Sequence, residues 1–151
     1  MKVSVSVQEK DFDLAILSRV LRASANDVGA IASFVGCMRG SNANGSLREM
    51  FLEHYPGMTE RSIREIVEAA GERWPIVACS VVHRVGWIRP GEHIVFVGVA
   101  SSHRGEAFQA CEYIMDYLKS RAPFWKKEVN EDGSGEWVDA RDSDREALAR
   151  W

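Results

Sequence analysis

Ile76-Val-Ala-Cys-Ser-Val-Val-His-Arg-Val85 and His93-Ile-Val-Phe-Val-Gly-Val-Ala100 are two largely apolar, β-branched runs. Only a short stretch that opens Gly86-Trp-Ile-Arg-Pro-Gly91 separates them. Each run has the length and residue types of a buried strand, and the Gly and Pro between them supply a hairpin-like turn. No helix fits in that gap, so the two strands pair antiparallel. That pairing excludes a doubly wound parallel sheet and sets the class as α+β.

Outward from this hairpin the same reading gives the order β-α-β-β-α-β-β-α-β-β-α. Val3, Val5 and Val7 alternate with Lys2, Ser4 and Ser6 as in a half-buried strand. Asp11 is expected to cap a helix with Phe12, Ile16 and Val20 on one face and Leu17 and Leu21 beside them. Val28 to Val35 reads as a buried strand and Leu47 to His54 as another. The Gly, Ser and Asn of Arg39 to Ser46 point to an irregular loop between them. Pro56-Gly57 turns the chain into a helix from about Thr59 to Arg73, with Ile63, Ile66, Val67 and Ala70 as its buried stripe. A further helix, capped by Ser101 or Ser102, runs to about Arg121 and buries Phe108, Cys111, Met115 and Leu118. Val129 to Val138 divides around an Asp132-Gly133 turn, and a short helix starts near Asp142.

The chain has 151 residues, 46% of them hydrophobic, which fits one domain spanning 1–151 with a core of its own. Net charge is −3, against a role in coating polyanions, so nucleic acid is not an expected partner. Cys37, Cys79 and Cys111 are odd in number, widely spaced and without a CxxC pair, which fits reduced thiols and no metal site. No run approaches membrane-spanning length, and the N-terminus lacks the apolar block of a signal peptide, so the expected location is cytoplasmic.

One stretch departs from the acidic background. Lys119-Ser-Arg-Ala-Pro-Phe-Trp-Lys-Lys127 holds four cations in nine residues, interleaved with Phe124 and Trp125. It reads either as a solvated helix end with snorkelling lysines or as an anion site, in which Pro123 bends the chain between Lys119 and Lys126. Ser101-Ser-His-Arg104 opens a helix, where free N–H groups, His103 and Arg104 suit a phosphate, or merely cap it. Arg39 leaves a strand as a planar donor fork for phosphate or carboxylate, or simply faces water. Glu53-His-Tyr-Pro-Gly57 is a turn motif, and His83 and His93 read as partly buried structural residues. A nucleophilic role for Cys37 would need a base beside it or a depressed pKa.

Taken together, Glu53-His-Tyr-Pro-Gly-Met58, Gly91-Glu-His-Ile-Val-Phe-Val-Gly-Val99, Ser102-His-Arg104 and Met115-Asp-Tyr-Leu-Lys-Ser-Arg-Ala-Pro-Phe-Trp-Lys126 closely resemble the catalytic (large) subunit family of molybdopterin synthase. The likeness runs from about Val28 to Trp151. It implies an α/β-hammerhead-type fold with a largely antiparallel sheet packed by helices. It also implies a sulfur transferase of molybdenum cofactor biosynthesis that converts cyclic pyranopterin monophosphate to molybdopterin. The sulfur comes from the C-terminal thiocarboxylate of a small ubiquitin-like sulfur-carrier subunit, with no bound cofactor and no metal. The assembly implied is a homodimer within a heterotetramer.

The resemblance places the catalytic lysines at Lys119 and Lys126. It assigns Cys37, Met38, Arg39, His103, Arg104, Lys127, Glu128 and Arg141 to substrate binding, with His103, Arg104 and Arg141 reaching a neighbouring protomer's site. Phe34 and Met115 match apolar pocket-wall positions. At Cys37 some relatives are expected to carry a basic residue. The alternative from another class is a non-catalytic adaptor that docks the carrier's tail; a third reading, RNA stacking on Phe124 and Trp125, sits poorly with the overall acidity.

Overall fold

The computed structural model describes residues 1–139 and 141–151. The hairpin strands β5 (Ile76–Arg84) and β7 (His93–Ser101) pair antiparallel at the centre of a four-stranded sheet. β2 (Ala30–Cys37) joins the β7 edge antiparallel, and β1 (Lys2–Gln8) joins β5 parallel, giving the order β1-β5-β7-β2. The one parallel pair follows from topology, because β1 and β5 are far apart in the chain and have helices between them.

A second sheet is built on β4 (Gly45–His54), which pairs with β8 (Phe124–Asn130) on one side and β6 (Gly86–Ile88) on the other. β9 (Gly135–Val138) extends it beyond β8. The Asn- and Gly-rich segment expected to be irregular instead forms a small hairpin, with β3 (Ser41–Asn42) paired to the start of β4; Gly45 takes the positive φ of its turn.

Helices α2 (Met58–Arg73) and α3 (Arg104–Arg121) cover one face of the first sheet. Ile63, Val67, Ala110 and Ile114 pack there on Val81, Val97 and Val99. α1 (Leu14–Arg22) covers the other face, with Leu21 against Ala78, Val82 and Phe96. Met38, Leu47, Met50, Leu52, Val85 and Ile88 form a smaller core that joins the two sheets. α4 (Asp142–Ala147) and a 3-10 turn (Leu148–Arg150) close the chain.

Two helix faces differ from the sequence reading. Asp13, not Asp11, caps α1: its Oδ1 accepts from the Ala15 and Ile16 amides at 2.9 and 3.2 Å. Leu17 and Leu21 therefore face inward, while Val20 is 63% exposed. In α3 Ala107, Cys111, Ile114 and Leu118 fill the centre of the buried stripe, which leaves Phe108 on its flank, 66% exposed. Ser101 does not cap the helix; its hydroxyl donates to the Pro75 carbonyl at 3.0 Å, and His103 takes the N-cap position without a side-chain hydrogen bond.

Candidate active site

α3 ends where Pro123 forbids another helical turn, and the chain enters β8 within two residues. Thr59 pins this bend. Fully buried at the start of α2, its hydroxyl donates to the Pro123 carbonyl at 3.0 Å and accepts from the Tyr55 amide at 2.9 Å. Lys119, in the last turn of α3, and Lys126, on β8, are thereby turned toward one another. Strand alternation decides the rest: Phe124, Lys126 and Glu128 face inward, Trp125 and Lys127 outward.

The inward set lines a cavity of about 350 Å³. Cys37, Met38 and Arg39 enter it from the end of β2, and Arg141 and Asp144 from the start of α4. His83 comes from β5, while Leu47, Met50, Leu52, Ile94 and Leu118 supply apolar wall. Ser120 fastens α4 to α3 by donating to the Asp144 carbonyl at 3.1 Å, and Asn42 Nδ2 donates to Glu128 Oε1 at 3.3 Å.

Burial holds the Lys119 ammonium below the ordinary lysine value, and the charge of Lys126 lowers it further. Asp144 opposes this, while Arg141 and Arg39 add to it. Lys119 is open to water through the cavity yet has protein on most sides, so it is both accessible and poorly solvated. An amine so placed gives up its proton more readily than a surface lysine. The buried Cys111 thiol is pushed up to about 11 and that of Cys79 higher still, both chiefly by burial, so neither is a nucleophile at neutral pH. Cys37 is free and exposed at the mouth. Among the described residues no three His, Cys, Asp or Glu side chains gather as a metal site would need.

Within one chain the structure brings together Cys37, Met38, Arg39, Lys119, Lys126, Glu128 and Arg141. It does not bring in five others. Lys127 lies on the far face of β8, one residue out of phase with Lys126. Phe34 is 42% exposed on β2, and Met115 is buried in the main core, so neither walls this cavity. His103 and Arg104 stand at the opposite end of α3, about 22 Å from Lys119 along the helix axis. Arg141, expected from the resemblance to reach a neighbour, lines its own chain's cavity. Sequence reasoning missed His83 and Asp144. His83 sits in an apolar strand that looked purely structural, and Asp144 lies in a short helix that carried no candidate site residue beyond its start.

Residues 7–121 match the family model described as MoaE protein. A molybdopterin synthase catalytic subunit from Ralstonia nicotianae is 56% identical over 98% of this chain and 84% of its own length. The solved structure of the molybdopterin biosynthesis MoaE protein from Burkholderia ambifaria has a TM-score of 0.85 at 49% identity, covering 100% of this chain and 98% of that one. The protein–protein complex of subunits 1 and 2 of molybdopterin-converting factor from Helicobacter pylori contains a chain with a TM-score of 0.69. Its 18% identity, over 93% of this chain and 90% of that one, makes it a likeness of fold.

Proposed function

The chain belongs to the MoaE family and is a sulfur transferase of molybdenum cofactor biosynthesis, and on that premise we propose that its cation-lined cavity is the transfer site. The observation that carries this reading is the convergence of Lys119, Lys126, Arg39 and Arg141 on one hollow of a net acidic chain. Both reactants are anions: a phosphate-bearing pterin and the thiocarboxylate that ends a ubiquitin-like carrier. In the transfer a carbon–sulfur bond forms at a pterin side-chain carbon as a carbon–oxygen bond there breaks and its protonated oxygen leaves; water then cleaves the acyl–sulfur bond, leaving the sulfur on the pterin and a carboxylate on the tail. No bound cofactor or metal enters this scheme, because the carrier supplies the sulfur.

Lys119 is the general acid and base of the site, since burial and the charge of Lys126 lower its pKa and ease the loss of its proton. Lys126 and Arg39 hold the phosphate and stabilise negative charge as it develops. Cys37, Met38, Glu128 and Arg141 complete the wall against the substrate. Dithiolene formation by Lys119→Ala and Lys119→Arg at the wild-type rate would remove Lys119 from the mechanism. Lys126→Ala is expected to weaken substrate retention, and unchanged affinity would contradict its role.

The working assembly is a homodimer with a carrier on each flank. β2 supports this: among the described residues Ala30–Cys37 pairs only with β7, it is an edge strand without a single charged residue, and Phe34 is exposed on it. Two such edges paired antiparallel about a two-fold axis set the Ala30 end of one beside the Cys37 end of the other. Ala30 pairs with Ser101, so His103 and Arg104 would then flank the partner's Cys37–Arg39 segment. A clean monomer in light scattering of the active protein would undo that arrangement. No helix among the described residues is long and apolar enough to cross a membrane. The buried free thiols of Cys79 and Cys111 support a reducing, cytoplasmic setting.

A further inference from the structure

We infer that His83 is a positioning residue of this transfer site, its Nε2 a neutral acceptor that orients the Lys119 side chain; the inference rests on the cavity being the transfer site. The geometry that carries it is fixed on three sides. His83 is buried, yet it lines the cavity together with Lys119. Its Nδ1 lies 2.8 Å from the carbonyl oxygen of Arg84. A carbonyl only accepts, so Nδ1 carries the hydrogen and Nε2 keeps the lone pair. The ring stacks on Phe124 at 3.8 Å between centroids and 19° between planes, and Phe124 lies two residues before Lys126 on β8. The imidazole is thus clamped between the strand that bears it and the strand that bears the second catalytic lysine.

Burial holds the imidazolium far down, at about 4; the bond to the Arg84 carbonyl opposes this and the charge of Lys119 adds to it, so the ring is neutral at pH 7. His54 sits 3.7 Å from Glu60. Around Lys119 the other charges are Lys126, Asp144, Arg141 and Arg39, with Glu128 and Asp139 also on the cavity wall. A carboxylate in the place of His83 would form an ion pair and lock Lys119 as ammonium; a cation would expel it from the cavity. A neutral acceptor takes a hydrogen bond from the amine and from the ammonium alike, which a lysine that exchanges protons requires.

The test compares wild type, His83→Asn, His83→Gln and Lys119→Ala in single-turnover sulfur transfer from thiocarboxylated carrier, across pH 6 to 10. The amide of Asn overlays the Nδ1 side of the ring and keeps the bond to Arg84 but lacks the Nε2 acceptor; Gln reaches the Nε2 position. His83→Asn is expected to lower the transfer rate roughly tenfold to a hundredfold with substrate affinity unchanged. Its pH limb should move to lower pH, because the Lys119 ammonium loses an acceptor. His83→Gln should recover part of both effects. A wild-type rate and limb in His83→Asn would overturn the inference, as would losses that merely track melting temperature while the limb stays in place. If Lys119→Ala transfers sulfur normally, the transfer-site reading itself fails, an outcome distinct from a silent His83→Asn beside a dead Lys119→Ala.

Discussion

Thr59→Val is the sharpest test of how the site is built, because it touches neither lysine. Valine has the shape of threonine, so no cavity opens, but it neither donates nor accepts. The Tyr55 amide and the Pro123 carbonyl, held at 2.9 and 3.0 Å by one fully buried hydroxyl, both lose that partner. Leaving a buried polar group unpaired costs about 1–3 kcal/mol, so the pair puts the loss at about 2–6 kcal/mol. At about 2–4 °C per kcal/mol for a chain of this size, a loss near 3 kcal/mol lowers Tm by about 6–12 °C. Thr59→Ser is the control: it keeps both bonds and gives up one methyl, about 1 kcal/mol. Calorimetry of the two variants gives the stability difference. Sulfur transfer measured well below both melting points tells whether the bend at Pro123 still presents Lys119 to Lys126, and the valine variant should be the slower. Equal melting temperatures and equal rates for the valine and serine variants would refute the idea that this hydroxyl sets the bend.

Three further outcomes follow from the same geometry. His83 stays neutral down to about 4 in the folded chain against an ordinary 6.5, so the unfolded chain binds more protons in that window and stability falls as pH drops through it, by about 3 kcal/mol in all. Urea titrations from pH 7 to 4 should show this acid slope flattened in His83→Asn, and an unaltered slope would contradict it. Lys119 has a lowered folded value, so it costs stability at neutral pH and the cost fades as pH rises toward 10.5. Lys119→Met should therefore melt higher than wild type at pH 7 by a margin that shrinks by pH 10, and a lower melting point at pH 7 would count against the desolvated cluster. Trp151 donates to Asp116 at 2.7 Å and packs edge-on against Trp74 and Tyr113 at 5.6 and 5.5 Å. Trp151→Ala should cost about 2–3 kcal/mol in denaturant unfolding and weaken substrate retention, because it frees the segment that carries Arg141 and Asp144; undiminished retention would separate the C-terminus from the site.

The elements legible in the sequence were those with strong local signals. The β5–β7 hairpin, α2 and its Ile63, Ile66, Val67 and Ala70 stripe, and the stop at Pro123 all follow from periodicity and from the two residues that dictate backbone angles. The cationic string was legible as an anomaly against the acidic chain, and the resemblance named its lysines. Where the signal was weak, the structure went elsewhere. Asp11 and Asp13 are equally good caps, and the choice between them turned α1 by two residues and exposed Ile16 and Val20. Phe108 looked like core from its helical spacing to Cys111 and Met115, but the α3 stripe is centred on Ala107, Cys111, Ile114 and Leu118 and leaves it on the flank.

Residue types and spacing by themselves determined that this chain forms paired strands with covering helices, and that Lys119 and Lys126 flank a forced bend. Which side chains share the hollow was decided only in three dimensions. Lys126 and Lys127 are adjacent in sequence and equal in charge, yet the pleat of β8 sends one into the cavity and the other to the opposite face. Arg39, His83 and Arg141 come from three distant segments that meet only because two sheets and the end of α3 converge there. Proximity between distant segments arises from long-range packing, and so does the burial that depresses the proton affinity of Lys119; neither leaves a trace in local sequence.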